Sequence, residues 1–243
     1  EEYHIKTAEG AVINGLRFRV THPKGIVFYL KGNSKSIKGW GKFAKDFVNQ
    51  GYEVLMVDYR GFGKSTGRRT QQAILEDLDV IYREMQVHVE QKHIILYGRS
   101  LGSGFAAQLA SKYNPKMLIL EAPYYSMLRT ARQYVPLLPV TLLIKFPIPT
   151  YKWLRDVQCP IHIIHGTNDS LIPQATSVQL AKVNAQRTTL HTIFGGGHKN
   201  LNTFASYHRI LNLILTEAFI IPSSVPEHSG KSSTSDGGEQ LGL

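Results

Sequence analysis

Short apolar runs alternating with amphipathic stretches predict an α/β fold, a mostly parallel sheet with helices on both faces. Three observations carry that expectation. Six runs, at 25–30, 53–57, 93–97, 117–120, 161–165 and 189–194, are brief and continuously apolar, as strands buried on both sides are. Helical patterns accompany them at about 37–50, 71–88, 101–112, 174–184 and 199–219. The chain has 243 residues and is 42% hydrophobic, enough for one sizeable core.

In chain order, residues 3–7 and 11–20 read first, as a β-hairpin with Glu9-Gly10 at its turn. In the second helical stretch Ile74, Leu78, Ile81 and Met85 recur at spacings of three and four, which puts one apolar face against the sheet. Residues 124–158 break the alternation. Within them the greasy run 135–149 contains Pro136, Pro139, Pro147 and Pro149, which forbid one straight helix, and it is too short to cross a bilayer. Such an insertion is expected to be a lid over an apolar pocket, with Leu138, Leu142 and Phe146 facing substrate. One domain over residues 1–221 thus carries a small lid insertion, and 222–243, rich in Ser and Gly, read as a disordered tail.

Composition excludes several functions. A single cysteine, Cys159, rules out a disulfide framework. No apolar run approaches the ~18–20 residues of a membrane span, so a soluble domain is expected. Lys+Arg exceed Asp+Glu by 28 to 18, a net charge of +10, yet the cations are scattered and form no basic block. Nucleic acid is therefore not an expected partner. The chain starts Glu1-Glu2-Tyr3 without a methionine, which suggests an upstream signal or anchor absent from this sequence.

The chemistry concentrates at three strand ends. The run 94–97 enters Gly98-Arg99-Ser100-Leu101-Gly102 and then a helix, a G-x-S-x-G between strand and helix. Small residues on either side let strand and helix approach, and the sharp turn pushes the Ser100 Oγ clear of the sheet. A serine hydroxyl needs a base, itself held by a carboxylate, in the order Ser, Asp/Glu, His. Asp169 follows the run 161–165, and His198 follows Gly195-Gly196-Gly197 after the last run. Asp58, at another strand end, precedes the serine and is the less favoured acid. An oxyanion hole is expected from the Leu101 amide and from Asn33, in the loop Lys31-Gly32-Asn33-Ser34 after an early strand.

Other signals read as structural. His165 and His191 are expected to be packed or hydrogen-bonded core histidines, with His162 facing the helices. Gly61-Phe62-Gly63-Lys64-Ser65 ends like a phosphate-binding loop, but Asp58 occupies its first glycine position. Gly102, Gly104 and Ala107 mimic a dinucleotide fingerprint, though Gly102 already closes the serine turn. No cysteine or histidine pair shows metal-ligand spacing, so no metal and no cofactor are expected.

Residues 57–65, 97–102, 165–169 and 196–200 together resemble the α/β-hydrolase superfamily, and more narrowly the small Bem-type serine hydrolases, often labelled serine aminopeptidase-like and related to protein depalmitoylases. The resemblance covers about residues 3–215. It implies an eight-stranded, mostly parallel sheet, no cofactor, and Ser100, Asp169 and His198 as the triad. Many such proteins carry an N-terminal hydrophobic anchor, so membrane association through an upstream segment is one expectation and a cytoplasmic location the other. The early loop usually reads His-Gly-Asn; Lys31 in its place is expected to favour anionic substrates or to reshape the pocket. The expected activity is hydrolysis of a carboxyl ester or thioester of a small or lipid-like acyl substrate, with possible association at a membrane surface. An aminopeptidase-like amide hydrolase and a non-catalytic binding protein are the alternatives.

Overall fold

The computed structural model describes residues 1–7 and 9–220, so the expected tail at 222–243 lies outside the described residues. The hairpin is β1 (Glu2–Lys6) and β2 (Val12–Phe18). Six strands follow: β3 (Ile26–Leu30), β4 (Glu53–Val57), β5 (Ile94–Arg99), β6 (Met117–Glu121), β7 (Ile161–Gly166) and β8 (Thr188–Ile193). All eight form one sheet in the order β1-β2-β4-β3-β5-β6-β7-β8. β2 pairs antiparallel with β1 and β4, and every other pairing is parallel.

Because successive strand residues point to opposite faces, a continuously apolar strand feeds two cores. Phe28, Leu55, Leu96 and Ile163 face α2 (Gln71–His88), α3 (Leu101–Lys112) and α7 (Ala175–Val183). Val27, Met56, Tyr97 and Ile164 face α1 (Gly41–Val48) and α8 (Ala205–Ile220). Ile74, Leu78, Ile81 and Met85 of α2 are buried, as their spacing requires, and Thr70 caps the helix by accepting from the Ala73 amide at 3.1 Å.

Two expected helices prove shorter. The stretch at 37–50 is a 3-10 turn over Ile37–Gly39 followed by α1, with Gly39 and Gly41 weakening a continuous helix. The stretch at 199–219 likewise begins with a 3-10 turn at Leu201–Thr203 before α8. The insertion forms three short helices, α4 (Met127–Tyr134), α5 (Val140–Leu143) and α6 (Thr150–Leu154), with its prolines outside or at the edges of all three. Its base is closed by the Met127 amide donating to Ile148 O at 3.2 Å and Leu128 to Pro147 O at 3.3 Å. The loops after β3, β5, β7 and β8 all leave the C-terminal edge of the parallel strands, which brings their residues together.

Candidate active site

At the end of β5 the chain turns straight into α3 at Ser100, whose φ of +48° and ψ of −116° are strained for a residue with a side chain. The turn is over-determined. Its amide donates to Glu121 O at 2.9 Å, and its carbonyl accepts from the Ser103 amide at 2.9 Å and the Ser103 hydroxyl at 2.6 Å. The two glycines are required by space. A Cβ on Gly98 would lie 2.6 Å from Gly102 O, and one on Gly102 would lie 2.0 Å from Leu30 O.

Ser100 Oγ lies 2.9 Å from His198 Nε2, and His198 Nδ1 lies 2.7 Å from Asp169 Oδ2. The three residues singled out from the sequence therefore form one hydrogen-bonded array, drawn from the loops after β5, β7 and β8. The loop carrying His198 is fastened to the loop after β7 and braced within itself. Asn168 donates its amide to Gly196 O at 2.8 Å, and Gly197 donates to Asn200 Oδ1 at 2.8 Å.

Asp169 has no exposed side-chain surface. Burial alone would raise its pKa, but hydrogen bonds from His165, His198 and the Ile172 amide outweigh that and hold it below the usual carboxylate range. Its Oδ1 accepts from the Leu171 and Ile172 amides at 2.9 and 2.8 Å. His165 is buried, as expected, but its partner was not foreseen. Its Nε2 lies 3.0 Å from Asp169 Oδ2 and 2.9 Å from Ile172 O, while its Nδ1 lies 2.6 Å from Ser177 Oγ. Those partners fit a neutral ring that donates from Nε2 and accepts the Ser177 hydroxyl at Nδ1. The sequence signal was the position of His165 at a strand end four residues before the acid.

The loop after β3 runs beside the serine: a Cβ placed on Gly32 would be 3.5 Å from Ser100 Cβ. Asn33 lines the cavity there, and Leu101 opens α3 directly after Ser100. The expectation for Lys31 is corrected. Its side chain is fully buried and does not line the cavity. Its ammonium donates to Ser34 O at 2.8 Å, stands 3.8 Å from Asp58 Oδ1, and lies 5.0 and 4.8 Å from the Tyr59 and Phe62 ring centroids. Burial lowers its pKa to about 8, with Asp58 opposing the shift. An acidic group and two rings draw the side chain beneath the loop, so Lys31 braces it instead of meeting substrate. Asp58, the less favoured acid, serves the same loop by accepting the Ile37 amide at 2.8 Å. The phosphate-loop lookalike is also internal, since the Ser65 hydroxyl donates to Asp58 O at 2.7 Å.

A cavity of about 420 Å³ opens over the serine, lined by Trp40, Phe43, Arg99, Leu171, His198 and Lys199 besides the loop residues. Sequence reasoning missed Trp40 and Phe43, which no local motif marks, and Arg99, which fills an unspecified position of the serine motif. Arg99 forms a buried ion pair with Glu121 at 3.0 Å, stacks 4.7 Å from the Phe43 ring centroid, and donates to Lys199 O at 3.1 Å. It thereby ties the serine turn to the His198 loop. The lid expectation is corrected too: none of Leu138, Leu142 and Phe146 lines this cavity. Leu138 and Leu142 are exposed, and Phe146 packs against the main core. The proline-broken run turns back on itself and leaves its leucines in solvent. His162 and His191 stack as a pair, rings 5.4 Å apart, with both pKa values lowered by burial, that of His162 to about 4. Among the described residues no group of three His, Cys, Asp or Glu side chains is placed to hold a metal.

The Hydrolase_4 family model, serine aminopeptidase, S33, matches residues 21–151. The chain belongs to this hydrolase family. The matched region contains Ser100 and the loop after β3 but ends before Asp169 and His198. A protein of Mycobacterium tuberculosis, itself uncharacterized, is 27% identical over 202 residues, which are 81% of this chain and 71% of the relative. The lysophosphatidylserine lipase ABHD12 of Danio rerio is 25% identical over 75% of this chain; the match spans only 51% of that lipase. Among solved structures, an esterase of Pyrococcus furiosus superposes with a TM-score of 0.72 at 18% identity, over 90% of this chain and 89% of the esterase. The fold of this hydrolase is the α/β-hydrolase fold.

Proposed function

We propose that this hydrolase cleaves carboxyl esters or thioesters bearing an apolar acyl group, through an acyl-enzyme on Ser100. The observation that carries this reading is the unbroken relay from Ser100 Oγ through His198 to the buried, ionised Asp169. Ser100 Oγ attacks the acyl carbonyl carbon and passes its proton to His198 Nε2. The Asn33 and Leu101 amides receive the developing oxyanion, with the α3 N-terminus adding favourable potential. Asp169 keeps the His198 Nδ1–H turned toward itself and stabilises the imidazolium. As the tetrahedral adduct collapses, the alkoxide or thiolate leaves with the His198 proton. Water, deprotonated by His198, then releases the acid and restores Ser100.

The cavity wall favours this reading over the aminopeptidase alternative. Capture of a free α-ammonium calls for a carboxylate, and among the lining residues there is none. Lys199, which forms no ion pair among the described residues, stands there with the apolar surfaces of Trp40, Phe43 and Leu171, while the charge of Arg99 is met by Glu121. That combination suits an acyl ester with an anionic head, a class that includes the lysophosphatidylserine named for the zebrafish relative. The test is a panel of p-nitrophenyl esters, an acyl thioester and aminoacyl p-nitroanilides. Ester and thioester turnover abolished by Ser100→Ala is the expected result. Anilide cleavage in preference to esters, or ester turnover unchanged by that substitution, would overturn the assignment.

A further inference from the structure

The insertion that fails to cover the cavity presents an unusual surface instead. Of the large apolar side chains left exposed, six (Tyr134, Val135, Leu137, Leu138, Leu142 and Leu143) fall within residues 134–143. Leu137 is 97% and Leu142 84% exposed. Elsewhere such residues are scattered, which is ordinary for a folded surface. The apolar tip has a one-signed setting. From residue 122 to 155 the chain carries Arg129, Arg132, Lys145, Lys152 and Arg155 and not one Asp or Glu. Arg129, Arg132 and Lys145 are exposed, and among the described residues none forms an ion pair.

This tip is joined to the mouth of the cavity. The Tyr134 hydroxyl donates to Leu171 O at 2.7 Å, and Leu171 lines the cavity beside Ser100 and His198. Below the tip, the hydrogen bonds of Met127 and Leu128 to Ile148 and Pro147 close the loop at its base. Leucines and an aromatic flanked by cations without acidic partners are the composition of a segment that sits at the boundary of an anionic bilayer.

We propose that residues 134–143 dock into the surface of a membrane containing anionic lipids, with Arg129, Arg132 and Lys145 against the headgroups. The mouth of the cavity then faces the lipid, and an acyl chain reaches Ser100 without crossing water. The delivery role rests on the proposed ester hydrolysis; the docking itself does not.

The test uses the 243-residue chain and vesicles of phosphatidylcholine with about 30 mol% phosphatidylserine. Cosedimentation of the wild type is expected, weaker by about tenfold or more on pure phosphatidylcholine and weakened by raising salt from ~0.1 to ~0.5 M. The double substitution Leu137→Ser with Leu142→Ser is expected to cut binding about tenfold or more while leaving turnover of a soluble short-chain ester unchanged. Arg132→Glu with Lys145→Glu is expected to remove the preference for the anionic lipid. Ser100→Ala should bind vesicles as the wild type does, which separates docking from catalysis. Wild type that ignores vesicles, or leucine variants that bind them undiminished, would overturn the proposal. So would a concentration-dependent dimer, seen by sedimentation velocity and abolished by the leucine variant, since a second copy would then cover the tip.

Discussion

Replacing Asp169 by asparagine removes one charge without changing size, and the geometry allows its cost to be worked out. The carboxylate accepts four hydrogen bonds: from the Leu171 and Ile172 amides on Oδ1, and from His198 and His165 on Oδ2 at 2.7 and 3.0 Å. Asparagine offers one acceptor oxygen and one NH2 group. With its oxygen on the fixed backbone amides, the NH2 group faces two imidazole N–H donors, and each ring must reverse its tautomer. His198 then presents a proton to Ser100 and ceases to be a base, a reversal that lowers turnover about 10⁴-fold in such triads. His165 also loses its bond to Ile172 O, so the variant should lose about 2–4 kcal/mol of stability as well. Because the native carboxyl is held below its ordinary pKa, its stabilisation is complete above about pH 4 and fades as pH falls through the native value. The stability gap between wild type and variant should therefore narrow below about pH 4. Soluble-ester kinetics and urea unfolding at several pH values measure both effects. A loss of turnover under about tenfold, or an unchanged unfolding midpoint at pH 7, would contradict these roles for Asp169.

Three further outcomes are expected. Gly98→Ala should destabilise the protein by about 1–3 kcal/mol or more, read as a lowered melting temperature, because the new Cβ falls 2.6 Å from Gly102 O and 2.7 Å from Ala106 Cβ. Relative to Lys31→Met, the wild type should gain about 3 kcal/mol of stability between pH 8 and about 10.5, since in that window the unfolded chain still holds the proton that the buried native amine, with a pKa of about 8, has released. Urea midpoints for the two proteins at pH 7 and pH 10 give the comparison. His165→Ala should lower kcat with little change in KM, as a positioning residue would, and steepen the loss of activity on warming; a KM effect alone would place His165 in substrate contact instead.

Much of this organisation was legible because the physics is local. β4, α2 and α3 begin and end where the apolar periodicity does, and the serine turn needs only small residues at fixed offsets. Order along the chain then favoured Asp169 over Asp58. What stayed hidden depends on direction in space. A lysine at position 31 has a long side chain, and only the packing of Asp58, Tyr59 and Phe62 decides that it turns under the loop. The greasy stretch near Leu138 and Leu142 signals apolar surface, but composition does not say whether prolines fold it over the cavity or away from it. Trp40 and Phe43, at the start of α1, meet Arg99 at the end of β5, a long-range contact without a sequence period.

Hydrolysis at this site requires Ser100 to be an activated nucleophile. That activation is tested most directly by exposing the purified protein to a fluorophosphonate probe and locating the adduct by peptide mass spectrometry. A single adduct on the peptide bearing Ser100, absent from Ser100→Ala and strongly slowed in His198→Ala, is the expected result. A folded wild type that stays unlabelled, or a label on another residue that survives Ser100→Ala, would contradict it.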